Sequence, residues 1–243
     1  MIEFRSLQNV DPALAVSPLL RGFQKTFAYL TEHGAIGLTP LKAFKRNFVH
    51  WAAREFEWPG HTEADLFAVN KVLNEQDFMP LSDIHFLLTT LKMGRHYKGQ
   101  FNLTKTGREL VGQPGRLFGI ITPFYLFEID HTAYTRFSDE PLLGNWDIFL
   151  NVLNVEAEDG ITGAELRQIL YGAPEPSPLP RYDDVLGSFY LNVLRPLCWT
   201  GLLHMSRVKG LQSTERSVFT KTPLWKAALK LDTDYLVKTA TRH

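Results

Sequence analysis

A single cysteine in 243 residues, Cys198, excludes an internal disulfide, and its apolar neighbours Leu197 and Trp199 point to a buried, inert thiol. No sign of charge is in excess, with 26 Lys plus Arg against 26 Asp plus Glu, so any affinity for polyanions has to come from local clusters. No apolar run is long enough to cross a bilayer. The most apolar stretch, Leu117 to Ile129, is too short and already contains Glu128, with Asp130 just beyond it. The N-terminus has no basic region followed by an apolar run, so no signal peptide is expected, and the chain reads as cytoplasmic.

Signatures of catalysis are also missing. Gly112 and Gly115 do not make a phosphate cradle, and neither a P-loop nor a dinucleotide fingerprint occurs. G-x-S-x-G is absent. The eight histidines include no HxxxH pair and no Cys/His cluster, so no metal site is expected. His131, beside Glu128 and Asp130, is the most suggestive grouping, and it reads more simply as a polar cap on the apolar segment. Ten acids against two bases between Asp139 and Asp184 single out no acid–base pair and suggest a solvated or docking face. The expectation is a non-enzymatic protein without catalytic residues, metal or cofactor.

What is present is ordinary globular material: 44% hydrophobic and 21% charged residues, enough for a core in one large or two small domains. Ser17-Pro18 opens a helix with Leu19, Phe23, Phe27 and Leu30 at helical spacing, stopped by His33-Gly34. Ile36-Gly37-Leu38 is extended. Thr39-Pro40 then reads as an N-cap and first helical residue, with Leu41, Phe44, Phe48, Ala52 and Phe56 on one stripe. Thr62 to Asp65 looks like a capping box for a helix to about Asn74. Pro80 to Met93 is a further helix, and Gly94 closes it. Arg95 to Tyr97 and Gln100 to Leu103, joined by Lys98-Gly99, predict a hairpin, and Thr104 caps a short helix to Val111.

The order repeats. Trp146, Phe149, Leu150 and Leu153 mark a helix ending near Gly160, and Gly160-Ile161-Thr162-Gly163 stands where Gly37-Leu38-Thr39-Pro40 stood. A loop with Pro174, Pro176, Pro178 and Pro180 replaces the extra helix. Asp183 starts an apolar helix in which Pro196 should force a kink or a break at Arg195. Leu202 to Arg207 and Ser217 to Phe219 form the candidate hairpin, and Phe219 to Pro223 matches Leu103 to Gly107. The landmarks are 123 and 116 residues apart, so the copies differ in length by seven residues.

A helical trio followed by a hairpin resembles the winged helix-turn-helix superfamily. The resemblance rests on residues 17–111, most specifically Leu38-Thr39-Pro40, Gly94 and Phe101 to Gly107. It implies a mainly α fold with small β-hairpins: two tandem winged-helix-like units, 17–111 and 144–231, joined by a packed helical connector, 112–143, that holds them in a fixed relation. In that superfamily wings and helix N-termini commonly meet phosphates. Here Met93 to Arg116 has five bases against one acid, and Arg195 to Lys238 has eight against three. The nucleic-acid-binding candidates are therefore Lys42, Lys45, Arg46, Arg95, Lys98, Lys105, Arg108, Arg207, Lys209, Arg216 and Lys221. Against DNA reading stand the third helices: Ser82, Asp83, His85, Thr89, Thr90 and Lys92 in the first copy, and an Asp183-Asp184 start in the second, are poor base readers. The primary expectation is a DNA-binding, transcriptional-regulator-like protein that grips backbone. The alternatives are a protein-interaction module docking a partner or a second copy, with no membrane role, and an enzyme of a type the motifs do not reveal.

Overall fold

The computed structural model of the chain describes residues 2–134, 142–174, 183–207 and 214–240. Its chain divides into an N-terminal unit, Leu7–Ile121, and a C-terminal unit made of Thr122–His243 with Met1–Ser6. The first strand, β1 (Glu3–Phe4), belongs to the C-terminal unit.

In the N-terminal unit, α1 (Pro18–His33) begins where the Ser17 side chain accepts the Leu20 N–H, and it ends at Gly34, whose φ of 79° suits glycine. Its Leu19, Phe23, Phe27 and Leu30 are buried as their spacing predicts. Fully burying each such side chain contributes about 1.5–3 kcal/mol. The strand β2 (Ile36–Gly37) follows. Thr39-Pro40 does not start the next helix. Thr39 N–H donates to the Ala43 carbonyl, Lys42 N–H donates to the Thr39 carbonyl, and Leu38 bridges Phe44, so residues 38–44 close a tight turn. Leu41 at its tip is 92% exposed and leaves the predicted stripe. The helix α2 (Arg46–Glu55) starts only after this turn and buries Phe48, Val49, Ala52 and Ala53, with Phe56 buried just past its end.

The predicted capping box at Thr62 is present, with Asp65 as its partner, and starts α3 (Glu63–Val69), which ends five residues earlier than expected. The helix α4 (Met79–Thr90) is buried over most of its surface. Leu81, Ile84, Leu87 and Leu88 are buried, and so are the polar Asp83 and His85. The strands β3 (Gly94–Tyr97) and β4 (Gln100–Leu103) form the predicted hairpin. Lys98 and Gly99, with φ of 49° and 72°, supply the two left-handed residues that a type I′ turn requires. β4 also pairs with β2, giving the order β2-β4-β3. Thr104 caps α5 (Lys105–Leu110) by accepting the Gly107 N–H. A Cβ at Gly107 would lie 2.1 Å from the Met93 carbonyl oxygen, so only glycine fits this crossing. The connector forms α6 (Pro114–Phe127), and the division between the units falls inside it.

The C-terminal unit repeats the plan: α7 (Trp146–Glu156), β5 (Ile161–Thr162), α8 (Gly163–Tyr171), a helical third element, then β6 (Leu203–Ser206) and β7 (Val218–Lys221). Its sheet order, β5-β7-β6, is the same. Here Thr162 does cap the helix directly, in a capping box with Glu165. The third element accommodates Pro196 without breaking. After α9 (Asp184–Phe189) comes one π-helical turn, Tyr190–Leu194, in which the Arg195 N–H reaches the Tyr190 carbonyl five residues back. The wider turn leaves Pro196 in the first turn of α10 (Arg195–Thr200), where its missing N–H costs least. Pro176, Pro178 and Pro180 lie outside the described residues. The helix α11 (Pro223–Ala228) follows Thr222, β8 (Leu229–Lys230) pairs antiparallel with β1, and α12 (Asp234–Ala240) ends the described chain.

Strand register corrects the match between the copies. Ile36 faces Phe101 as Ile161 faces Phe219. Thr104 and Thr222 both cap the helix after the hairpin. Ile161 therefore corresponds to Ile36, not Leu38, and Phe219 corresponds to Phe101, not Leu103. Both sequence landmarks were two residues out of step because similar turn residues recur at different places in the two copies.

Candidate functional site

Three of the sequence-chosen bases lie in the turn and the following helix start. Lys42 is exposed at the turn, with a left-handed φ of 65°, and Lys45 and Arg46 are exposed at the head of α2. Lys45 and Arg46 line a groove of about 1060 Å³ together with Thr39, Phe44, Asn74 and Glu75. Arg46 is steadied there by Asn74, its Nε donating to Oδ1 at 3.0 Å. The hairpin supplies the next pair. Arg95 and Lys98 both sit over the Tyr97 ring, at 5.7 and 5.2 Å from its centroid, and their charges remain exposed. The Leu38 N–H donates to the Gly99 carbonyl, so the hairpin turn adjoins the 38–44 turn. The N-terminal unit thus exposes three cations at and just after the 38–44 turn and two on the hairpin, with the two turns joined by this backbone bond.

Beneath the groove lies a polar chain that the sequence reading missed. Glu75 and His85 are 7% and 8% exposed. One Glu75 oxygen accepts the Phe44 N–H, and the other accepts from His85 Nδ1 at 2.7 Å. His85 Nε2 lies 2.8 Å from His96 Nε2, and the His85 ring stacks on Phe44 at 3.9 Å with the Phe101 edge at 5.0 Å. Partial burial, then His85, then the Lys42 ammonium hold His96 below the usual histidine range, while Glu75 pulls the other way. The sequence held one signal. His85 falls on the face defined by Leu81 and Leu88, where a polar residue needs a partner.

The remaining candidates are dispersed. Lys105 is exposed, 4.0 Å from Glu109, and Arg108 donates to the Leu103 carbonyl at 2.8 Å. Arg207 and Arg216 are exposed in the C-terminal unit, and Lys209 lies outside the described residues. Lys221 is a correction. Its side chain is 11% exposed, bonded to Glu158 and to the Asn154 carbonyl, and Trp225 Nε1 donates to Asn154 Oδ1 at 2.9 Å. It occupies the register position of Leu103, so it is an internal strut with no ammonium free for phosphate.

The third helical elements are closed to solvent along most of their length. α4 exposes Phe86, at 55%, with Thr89 and Thr90. From Leu186 to Thr200 no residue is exposed. His131 is buried, shares its Nε2 with the Tyr125 carbonyl at 2.7 Å, and burial pushes it down to about 4, so it is neutral and structural. Burial likewise pushes the Cys198 thiol up to about 12. Among the described residues no group of three or more potential ligands could hold a metal ion, and no helix is long and apolar enough to cross a membrane.

Fold and site together define a mainly helical protein of two units that share a sheet order, with its exposed basic cluster in the first. The family comparison divides the chain in the same region. The model of the Y4jL N-terminal domain matches residues 15–116, and that of the y4jL C-terminal domain matches residues 135–223. The chain is 40% identical over 180 residues to "Uncharacterized protein y4jL" of Sinorhizobium fredii (strain NBRC 101917 / NGR234), covering 73% of this chain and 81% of that protein. It belongs to the y4jL family. No solved structure matches it at a significant level.

Proposed function

We propose that this protein binds nucleic acid, duplex DNA first, through the phosphate backbone, using the groove and hairpin of a winged-helix-like N-terminal unit. The observation that carries the reading is the groove's charge. Lys45 and Arg46 stand exposed on it, while its one carboxylate, Glu75, is buried and occupied by Phe44 N–H and His85. A polyanion therefore meets cations without an opposing exposed carboxylate on the lining. The Asn47 and Gln76 amides add groups that can bond phosphate or sugar oxygens.

The closed α4 argues for backbone contact over base reading. A helix that shows solvent only Phe86 and two threonines has no bidentate donor for a base edge. Transcriptional regulation would then require sequence preference from duplex shape or from a partner. The test is fluorescence anisotropy with a random duplex across a salt series. With four or five cations engaged, log K should fall with log salt at a slope of about −4. A slope near zero, or no binding at low salt, removes the reading.

A second reading, protein docking, is favoured by apolar exposure along and just past α3: Phe67, Val69 and Val72 at 38%, 82% and 46%. If this face joins two copies, Val69→Asp changes the sedimentation of the protein and leaves duplex affinity unaltered.

A further inference from the structure

The Nε2 atoms of His85 and His96 lie 2.8 Å apart, and that contact requires a proton between them. One proton satisfies it whichever ring carries it. A neutral pair makes the bond by donation from one Nε2–H to the lone pair of the other ring. A pair that has taken up one further proton makes it in the same way. With both imidazoles charged, two N–H groups face each other and the contact is lost. The pair therefore tolerates a first added proton and not a second.

Glu75 decides which ring leaves. His85 is 8% exposed, stacks on Phe44 at 3.9 Å and donates Nδ1–H to Glu75 at 2.7 Å, a bond that a charge on His85 strengthens. Glu75 is held in turn by the Phe44 N–H. His96 is exposed on β3, an edge strand of the sheet, and can carry its charge into water by rotating away. Each neighbouring element adds its groups. Glu75, in the 3-10 turn before α4, favours a proton on His96, whereas Lys42, in the 38–44 turn, opposes one. Arg95, Tyr97 and Lys98 flank His96 along the hairpin, with both cations over the Tyr97 ring. β4 offers Phe101, its ring centroid 5.5 Å from that of His96, and no charge. Asp83, two residues before His85 on α4, lies on another face of that helix. Partial burial first, then His85 and Lys42, hold His96 below the usual histidine value of 6.5.

We infer that Glu75, His85 and His96 form an acid-opened latch, in which one shared proton holds the edge strand β3 against α4 and a second proton releases it. The closed latch resists the second proton more than the open one does. Its contribution to stability is therefore complete above the ordinary histidine value and is lost as pH falls through the lowered value of the closed state. Opening takes up one proton, so the ratio of open to closed grows by at most about tenfold per pH unit. Release acts on the hairpin that carries Arg95, Tyr97 and Lys98 and leaves the bond between Glu75 and the Phe44 N–H in place. The latch needs no ligand, so it stands whether or not the N-terminal unit binds a polyanion.

The test is NMR on the whole protein, without added ligand, from about pH 7.5 down to about pH 5, a range that spans histidine titration. The nuclear Overhauser contact between the His85 and His96 rings is expected at the upper end and lost at the lower, in step with charging of both rings read from their ring-nitrogen shifts. Exchange protection of the β3 amides falls over the same interval by up to about tenfold per pH unit. His96→Gln keeps an amide that can donate to His85 or accept from it and cannot titrate, so its β3 protection stays flat with pH. His96→Ala removes the latch, and its β3 protection is low throughout. Both substitutions fall at an exposed position, which spares the core. A ring contact that persists with both imidazoles charged overturns the latch. So does an acid loss of protection that His96→Gln shares, or a wild type no better protected at pH 7.5 than His96→Ala.

Discussion

The two units share a strand order and a helix cap after the hairpin, yet they use the same positions oppositely. At the last residue of the returning strand the N-terminal unit has Leu103 and the C-terminal unit has Lys221. One adds to an apolar core. The other brings a charge inside and must satisfy it with Glu158 and the Asn154 carbonyl. At the head of the second helix the N-terminal unit inserts a turn that exposes Lys42, Lys45 and Arg46, whereas the C-terminal unit closes the junction with a Thr162–Glu165 capping box. A shared topology thus carries an exposed basic cluster in one copy and an internal polar brace in the other.

The comparison breaks most sharply at Lys221. Lys221→Glu places a second carboxylate beside Glu158 and should destabilise the protein by about 1–3 kcal/mol, read from urea unfolding. The neighbouring claim for the N-terminal unit is the converse: Lys98→Glu, on an exposed turn, should change stability by no more than about 0.5 kcal/mol. Similar losses for both would remove the distinction between strut and surface.

Acid sensitivity should separate the units next. His131 is held neutral at about 4, below the ordinary histidine value of 6.5. A depressed histidine contributes stability that is full above its unfolded value and is lost as pH falls towards its folded one. The C-terminal unit should therefore lose up to about 3 kcal/mol between pH 6.5 and 4. Urea midpoints at several pH values check this, with His131→Gln expected to show a flatter profile. An equally steep profile in the variant would contradict it.

A smaller effect concerns the salt dependence of duplex binding. Arg95→Gln and Lys98→Gln should each lower the slope magnitude by about one if the hairpin touches phosphate, while Lys105→Gln, at the opposite end of β4 from the hairpin turn, should leave it closer to wild type. Equal changes for all three would mean diffuse attraction without a defined surface.

Much of the plan was legible because it depends on local rules. Ser17-Pro18, the Thr62 capping box, Lys98-Gly99 and Thr104 each state a start, stop or turn in a few residues, and the structure has them where they were expected. The failures share a different cause. Thr39-Pro40 satisfies helix-start chemistry, but the backbone bonds of the 38–44 turn satisfy the same donors first. Lys221 reads as an exposed wing lysine because its partners, Asn154 and Glu158, lie more than sixty residues earlier. The Glu75–His85–His96 chain joins a short 3-10 turn, a helix and an edge strand, so only tertiary packing brings it together. Pro196 excludes a regular α-helix through Arg195, but sequence alone cannot choose between a kink and a break, and the structure resolves the conflict with a single π turn.

Paired charge reversals compared across the units test the central claim most directly. Duplex affinity at low salt is measured for Lys45→Glu/Arg46→Glu in the N-terminal unit and for Arg207→Glu/Arg216→Glu in the C-terminal unit. Both pairs are exposed and change the net charge equally, so long-range electrostatics alone cannot separate them. The first pair should weaken binding by roughly a hundredfold, and the second by no more than about threefold. Equal losses, or the larger loss in the C-terminal unit, would contradict the assignment of the phosphate-binding surface to the first copy.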